Sequence, residues 1–295
     1  MIISTINRLP KSLVEITSTI ATGDIKTEYE TVMKQVVVDF EAPGFRKGKA
    51  PREFVEKNID RDKVISLVIR NILPKAYEEA IKTHGLKPIV DPKVEILEPT
   101  ELYKIIETAD LKVKITIAER PKISLKDYQE KIKGEAAKEK IWTPDKGNPD
   151  NKKPVESKEQ TEQKKFVAIV DILLQTCEVD VAEMVVDAEM NRLLTQTLEE
   201  IKKLGLSLDE YLRNTGKTAE NLRSEASERA KSSLKIGFIF DEIAHAEGLN
   251  IDKAEIDAVI AKIEDPKQKE EASKNAYQLA PVLLRQKVVD FLMKL

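Results

Sequence analysis

The segment 131–165 places the strongest constraint on the fold, because it interrupts the chain near its middle. Seventeen of its 35 residues are charged, ten of them Lys and seven Asp or Glu, and Pro144, Pro149 and Pro154 are spread through it. Such a segment has too little apolar surface to offset the entropy lost on ordering. We therefore predict a charged, flexible linker over 129–165 with a folded domain on each side, since 295 residues suffice for about two domains.

The first domain, predicted over 1–128, mixes strand and helix patterns. Apolar residues alternate with polar ones at two places, as in half-buried strands: Val14, Ile16 and Ile20, and then Leu111, Val113, Ile115 and Ile117. Apolar residues recur at helical spacing over 29–40 and 61–84, where Pro74 is expected to kink or split the second helix and Gly85 to end it. These patterns predict a compact α+β domain.

The second domain, predicted over 166–295, shows helical spacing only. Its first stripe runs from Phe166 to Cys177. Thr218 is placed to start a long helix, and Asp252 with Glu255 matches the capping-box spacing. The predicted fold class of the whole chain is α+β, in which a charged linker joins an α+β domain to an all-α domain.

The stretch 44–51 (Gly-Phe-Arg-Lys-Gly-Lys-Ala-Pro) carries the most suggestive chemistry. Its two glycines permit positive φ, and Pro51 stands where a helix over 52–58 would begin, so a tight, protruding loop is predicted. An exposed Phe45 among cations could fill an apolar pocket while the cations pair with carboxylates or phosphates at its rim. A solvated turn whose Phe45 folds back onto its own domain explains the same residues equally well.

Few other residues indicate chemistry. The two histidines, His84 and His245, fall in the last turns of predicted helices, and Cys177 lies on an apolar stripe as a small core residue. No zinc-ligand spacing and no phosphate-binding glycine loop is present in the sequence. We therefore expect no catalytic residue, no metal and no cofactor.

Charge and hydropathy restrict the partners and the compartment. A net charge of −3 gives no overall field that would draw the protein to DNA or to an anionic membrane. No apolar run approaches the roughly 18 residues of a membrane span, and the first residues lack the basic start and apolar core of a signal peptide. With a single cysteine, the sequence favours the cytoplasm.

The stretch 44–51 resembles the ribosome-docking signature of the trigger factor family of bacterial chaperones. The second domain resembles the same family over 205–212 (Gly-Leu-Ser-Leu-Asp-Glu-Tyr-Leu) and over 228–248. The resemblance implies that Phe45, Arg46 and Lys47 make the ribosome contact. It implies a ribosome-binding site over these residues: Gly44, Phe45, Arg46, Lys47, Gly48, Lys49 and Pro51. It also implies an all-α domain whose helical arms form part of an open cradle for clients.

One part of the family plan is missing. Most trigger factors carry an isomerase domain of the FK506-binding type, about a hundred residues long, where this chain has only the 131–165 segment. We therefore expect a variant without that domain and without prolyl isomerase activity, although family members are peptidyl-prolyl isomerases. Trp142, in the same segment, is either an incidental residue or a contact to a neighbour or client.

The function expected from the resemblance is a ribosome-associated, ATP-independent chaperone that shields nascent polypeptides at the tunnel exit. Its expected partners are unfolded nascent chains and the large ribosomal subunit near the exit. The contact to the subunit is expected with ribosomal protein, and a contact with rRNA stays open. A weak homodimer is expected when the protein is free. Two alternatives stay open: an RNA-binding module that uses the basic 44–51 loop, and a holdase or export chaperone that does not bind ribosomes.

Overall fold

The structure is a computed structural model and describes residues 2–41, 43–99, 104, 109–139, 158–263 and 265–295. The chain divides into two compact units, Met1–Arg120 and Pro121–Leu295. The boundary lies after Arg120 and not after residue 128 as the sequence had predicted.

The first unit is a four-stranded sheet with helices. The strands and helices whose bounds lie in described residues are β1 (Ile2–Arg8), β2 (Leu13–Ile20), α1 (Thr22–Asp39), α2 (Arg52–Asn58), α3 (Arg61–His84), β3 (Lys93–Glu98) and β4 (Leu111–Ala118). The strand order is β1-β2-β4-β3, and every neighbouring pair is antiparallel. The register aligns Ile16 of β2 with Ile6 of β1 on one side and with Ile115 of β4 on the other.

The core of this unit lies on one face of the sheet. The residues predicted to alternate inward on β2 and β4 are all buried, whereas the residues between them are mostly half-buried, which confirms both strands. Helices α1 and α3 cover this face with buried side chains that include Ile25, Met33, Val64, Val68 and Ile72. This packing of an amphipathic helix pair on a sheet gives the predicted α+β domain.

Helix α3 runs unbroken through Pro74, so the proline does not split it. Ile72 and Ala76, on either side of the proline, are both buried in the core and hold the helix in place there. The predicted end is confirmed: Gly85 adopts a left-handed conformation with φ of 62°, and its N–H donates to the carbonyl of Ile81.

In its described residues, the second unit is helical except for one pair of two-residue strands. Its elements are β5 (Ile123–Ser124), α4 (Tyr128–Glu139), α5 (Lys158–Thr176), β6 (Glu178–Val179), α6 (Glu183–Lys203), α7 (Leu208–Thr215), α8 (Ala219–Ala246), α9 (Lys253–Ala261), α10 (Pro266–Lys274) and α11 (Ala276–Lys294). Helices α4, α5, α8 and α11 share one core, and α6 packs on α8 around a smaller cluster with Val186, Met190 and Ala230. The predicted Thr218 cap and the Asp252–Glu255 capping box are confirmed.

The prediction of a linker over 129–165 is wrong at both ends of that segment. Helix α4 covers its start and α5 begins at Lys158, while residues 140–157, including Trp142, lie outside the described residues. Tyr128 and Ile132, four residues apart, are buried in the core of the second unit, and β5 pairs with β6. A few well-placed apolar residues therefore order a stretch whose average composition is highly charged, and they attach 121–139 to the helical unit.

Candidate functional site

The loop that joins α1 to α2 holds the candidate site. Gly44 and Gly48 have φ of +89° and +70°, as predicted from their spacing. The Lys49 N–H donates to the carbonyl of Arg46 at 2.9 Å, and the Gly48 N–H donates to the carbonyl of Phe40 at 3.3 Å. A Cβ on Gly48 would lie 2.8 Å from the Val38 carbonyl oxygen, so the loop closes against the end of α1 at a position that only glycine fits.

Phe45 is neither fully exposed nor fully folded back onto its own domain, the two arrangements that the sequence left open. Its ring rests on Phe54 of α2, with the ring centroids 4.9 Å apart and the planes tilted by 48°. Phe40 meets the same Phe54 ring edge-on at 6.5 Å. Phe45 nevertheless keeps 39% of its surface exposed. The ring is supported by its own domain and still presents an apolar face to solvent.

Three cations of the same loop are exposed: Arg46, Lys47 and Lys49. Lys47 Nζ lies 3.4 Å from Glu41 Oε1, but both side chains are mostly exposed, so this pair contributes little. Among the described residues, neither Arg46 nor Lys49 has a carboxylate partner. The loop therefore offers positive charge that intramolecular pairing leaves largely available.

Arg52, the fourth cation of this region, is engaged in hydrogen bonds within its own domain. Its guanidinium donates to both carboxylate oxygens of Glu30 on α1, at 2.6 and 2.8 Å, and to Glu56 on α2 at 2.6 Å. These hydrogen bonds raise the pKa of Arg52, and the bond from Arg52 lowers the pKa of Glu30. Arg52 thus ties the start of α2 to α1, directly after Pro51, which is the N-cap of α2.

Sequence reasoning missed both Arg52 and Phe54 as parts of the site. The spacing of Arg52 and Glu56 by four residues was a readable signal for an ion pair on a helix. The pairing with Glu30, 22 residues upstream, depends on how α1 and α2 pack. The contact between the Phe54 and Phe45 rings likewise depends on how the loop lies on α2.

The remaining candidates have structural roles. His84 Nε2 lies 3.0 Å from Ser4 Oγ at the end of α3, and His245 is in the last turn of α8. Cys177 is buried, its thiol donates to the carbonyl of Leu125 at 3.5 Å, and burial raises its pKa to about 11, which is the wrong direction for a nucleophile. The described ranges contain no cluster of three or more side chains suited to hold a metal ion.

Several large apolar side chains of the second unit are exposed. They are Val167, Leu198, Leu204, Leu208, Tyr277 and Val282. Helix α7 buries none of its residues although its apolar side chains are arranged on one side. Met190, in contrast, is part of the core, and Leu193 and Leu194 pack against the same cluster.

In the described parts of the chain, we find no helix that is both long and apolar enough to cross a membrane.

The sequence matches two family descriptions that follow each other along the chain. Residues 2–146 match "Bacterial trigger factor protein (TF)", and residues 152–294 match "Bacterial trigger factor protein (TF) C-terminus". Only 147–151 lie between the two matches, so they leave no room for a domain of a hundred residues.

Similar proteins carry the same name. The trigger factor of Mycolicibacterium smegmatis is 30% identical over 126 residues, which are 43% of this chain and 26% of that protein. That of Rhodococcus erythropolis is 28% identical over 140 residues, or 47% of this chain and 31% of the relative. These matches span about a quarter to a third of the relatives' length.

The fold is also similar to a solved structure described as "Promiscuous Substrate Recognition in Folding and Assembly Activities of the Trigger Factor Chaperone". The TM-score is 0.63 over 98% of this chain and 99% of that chain, at 12% identity, so this likeness concerns the fold. Together with the two family matches, which cover nearly all of the sequence, it leads to one conclusion. The chain belongs to the trigger factor family.

Proposed function

We propose that this protein is a ribosome-associated, ATP-independent molecular chaperone that shields nascent polypeptides at the exit of the ribosomal tunnel. It docks on the large subunit through Phe45, Arg46 and Lys47, with Gly44, Gly48, Lys49 and Pro51 forming the loop around them. It works in the cytoplasm and is partly ribosome-bound. The observation that carries the proposal is a partly exposed aromatic ring in a basic loop whose cations have few intramolecular partners.

The energetics of this loop suit a moderate, reversible contact. Burying the exposed 39% of Phe45, about 80 Å² of a side chain of roughly 200 Å², contributes about 2 kcal/mol. Each cation adds a charge-assisted hydrogen bond where the partner offers a carboxylate or phosphate. Because the protein as a whole carries −3, this attraction is local to the loop.

The exposed apolar residues of the second unit support client holding. These side chains come from separate parts of the second unit: Leu204 directly follows α6, Leu208 begins α7 and Val282 lies in α11. Scattered apolar surface binds unfolded segments weakly and with little selectivity, as a holdase requires. No step of such binding and release needs a nucleotide.

Co-sedimentation with bacterial ribosomes tests the docking. We expect the wild type to pellet and the variant Phe45→Ala/Arg46→Ala/Lys47→Ala to bind at least tenfold more weakly, since 1.4 kcal/mol corresponds to a factor of ten. The matched control Tyr277→Ala/Lys267→Ala/Lys274→Ala removes one exposed ring and two cations from α10 and α11 and should bind like the wild type. Equal pelleting of the wild type and the loop variant would refute docking through this loop.

Two alternatives give different results in the same assay. An RNA-binding module would bind naked rRNA as tightly as whole ribosomes, with a steep dependence on salt. A free holdase would not pellet with ribosomes, yet it would prevent the aggregation of an unfolded protein. We also expect no acceleration of a proline-limited refolding reaction, which takes tens to hundreds of seconds when uncatalysed.

A further inference from the structure

We propose that Phe54 is a positioning residue for docking: its ring holds Phe45 in the orientation that the binding partner receives. This inference rests on the proposed docking function and adds to it a residue outside the 44–51 loop. Phe54 acts through Phe45, and contact between Phe54 and the partner is not required.

The ring contacts single out Phe54. It is the ring shared by both aromatic pairs, at 4.9 Å from Phe45 and 6.5 Å from Phe40. The neighbours of Phe45 in the sequence are Gly44 and Arg46, which offer little apolar surface. Phe54 is therefore the aromatic contact of Phe45 among the described residues, and the exposed 39% of Phe45 is left for the partner.

Phe54 itself is held in place by the helix that carries it. Its N–H donates to the Pro51 carbonyl at 3.0 Å, and its carbonyl accepts from the Asn58 side chain at 2.7 Å. The next residue, Val55, is completely buried, and Arg52 connects the same helix to Glu30 of α1. The support under Phe45 is thus anchored to the domain core, while the loop turns on glycines.

The physical effect is pre-organisation. A ring that packs against a neighbouring ring occupies few orientations, so less freedom is lost when the partner closes over it. Without Phe54, the Phe45 side chain samples several rotamers and must be ordered during docking. From the usual strength of an aromatic pair, we expect Phe54→Ala to weaken ribosome binding about three- to tenfold.

A double-mutant cycle on the full chain tests whether Phe54 acts through Phe45. The ribosome affinity is measured for the wild type, Phe45→Ala, Phe54→Ala and the double variant. We expect Phe54→Ala to weaken binding three- to tenfold in the wild type but less than twofold once Phe45 is gone. Phe54→Tyr, which keeps the ring, should restore most of the affinity. Leu73→Ala, which truncates a side chain packed against the core of the first unit, is the control for general destabilisation. This variant should bind ribosomes like the wild type.

A second readout does not involve ribosomes. With 4-fluorophenylalanine placed at position 45, the ¹⁹F resonance of the free protein reports the surroundings of that ring. We expect Phe54→Ala to move this resonance toward its position in the unfolded chain, whereas Leu73→Ala leaves it unchanged.

The outcomes separate the two proposals. If Phe45→Ala weakens binding but the effect of Phe54→Ala is the same with and without Phe45, the positioning role is refuted and docking stands. An unchanged ¹⁹F resonance in Phe54→Ala also refutes the positioning role. If Phe45→Ala binds ribosomes like the wild type, docking through this ring fails, and positioning for docking fails with it.

Discussion

Gly48→Ala is the substitution for which the structure gives the sharpest expectation. Gly48 combines a φ of +70° with a close approach, because an added Cβ would lie 2.8 Å from the Val38 carbonyl oxygen. Gly44 offers a matched comparison four residues earlier. It has a φ of +89°, but nothing lies within 4 Å of its Cβ position. The pair therefore separates backbone strain from steric conflict within a single loop.

The magnitudes follow from these two differences. A left-handed backbone costs an alanine about 1–2 kcal/mol at either position. At Gly48 the new methyl group also meets a backbone atom at the end of α1, which cannot rotate away, and such overpacking costs about 1–3 kcal/mol more. The entropy that alanine removes from the unfolded chain is the same in both variants. We expect a loss of about 1–2 kcal/mol for Gly44→Ala and about 2–5 kcal/mol for Gly48→Ala.

Amide hydrogen exchange measures this loss where it occurs. The Gly48 and Lys49 N–H groups donate to Phe40 and Arg46, so their protection reports whether the loop is closed. In Gly48→Ala we expect both amides to lose protection and ribosome binding to fall. Gly44→Ala should show the smaller change in both measurements. Equal effects of the two substitutions would refute the argument, because they would mean that the approach to Val38 does not constrain the loop.

Three further predictions concern other parts of the molecule. Arg52→Gln should lower the urea midpoint at pH 7. Because the folded-state pKa of Glu30 is depressed, the difference between wild type and variant should fade as the pH falls below about 4. A difference that does not depend on pH would argue against the ion pair. Ser18→Ala should raise the free energy of unfolding by less than about 1 kcal/mol, because the buried Ser18 hydroxyl has no hydrogen-bond partner among the described residues. A clear decrease in the free energy of unfolding, measured by urea titration, would contradict this. Cys177, with a pKa of about 11, should react with a thiol reagent about a hundredfold more slowly than an ordinary thiol at pH 8, and urea should remove this protection.

The fold was predictable wherever one pattern dominated a segment. The inward alternation on β2 and β4, the left-handed Gly85 and the caps at Thr218 and Asp252 all follow from local rules and are confirmed. Burial alternates along the edge strand β1, where Ile2, Ser4 and Ile6 are half-buried and Ile3 is exposed. This strand was missed because Ser4 lies on the inner side and Ile3 on the outer side, so the hydropathy of the sequence does not alternate with the burial.

The linker prediction shows the weakness of averaging over a segment. Lys and Glu dominate 129–139, yet Tyr128 and Ile132 are enough to attach α4 to the second unit. Tyr128 also donates a hydrogen bond to Glu247 at 2.9 Å, and burial raises its pKa to about 12. Tyr128 and Glu247 lie far apart in the sequence, so the local composition could not show that α4 packs against the other helices of the second unit.

The candidate site illustrates the same division between residue type and geometry. Seven residues of the 44–51 loop were proposed from the sequence, and the structure adds what distinguishes one cation or one ring from another. Arg52 is committed to Glu30 and Glu56, whereas Arg46 and Lys49 have no carboxylate partner among the described residues. The two rings also differ in role: the Phe54 ring supports the Phe45 ring, and the Phe45 ring is exposed to the partner.

A loop built on two glycines would be expected to sample many conformations and to lose affinity when it is ordered on a partner. Here the order is supplied in advance from outside the loop, by Val38 against Gly48, by the α2 ring under Phe45 and by the Arg52 bridge between α1 and α2. The glycines set the path of the backbone, and these neighbours limit the freedom that the glycines would otherwise allow. We therefore expect this short basic loop to be more ordered than its two glycines alone would allow. For the same reason, substitutions on α1 and α2 should alter docking as strongly as some substitutions within the loop.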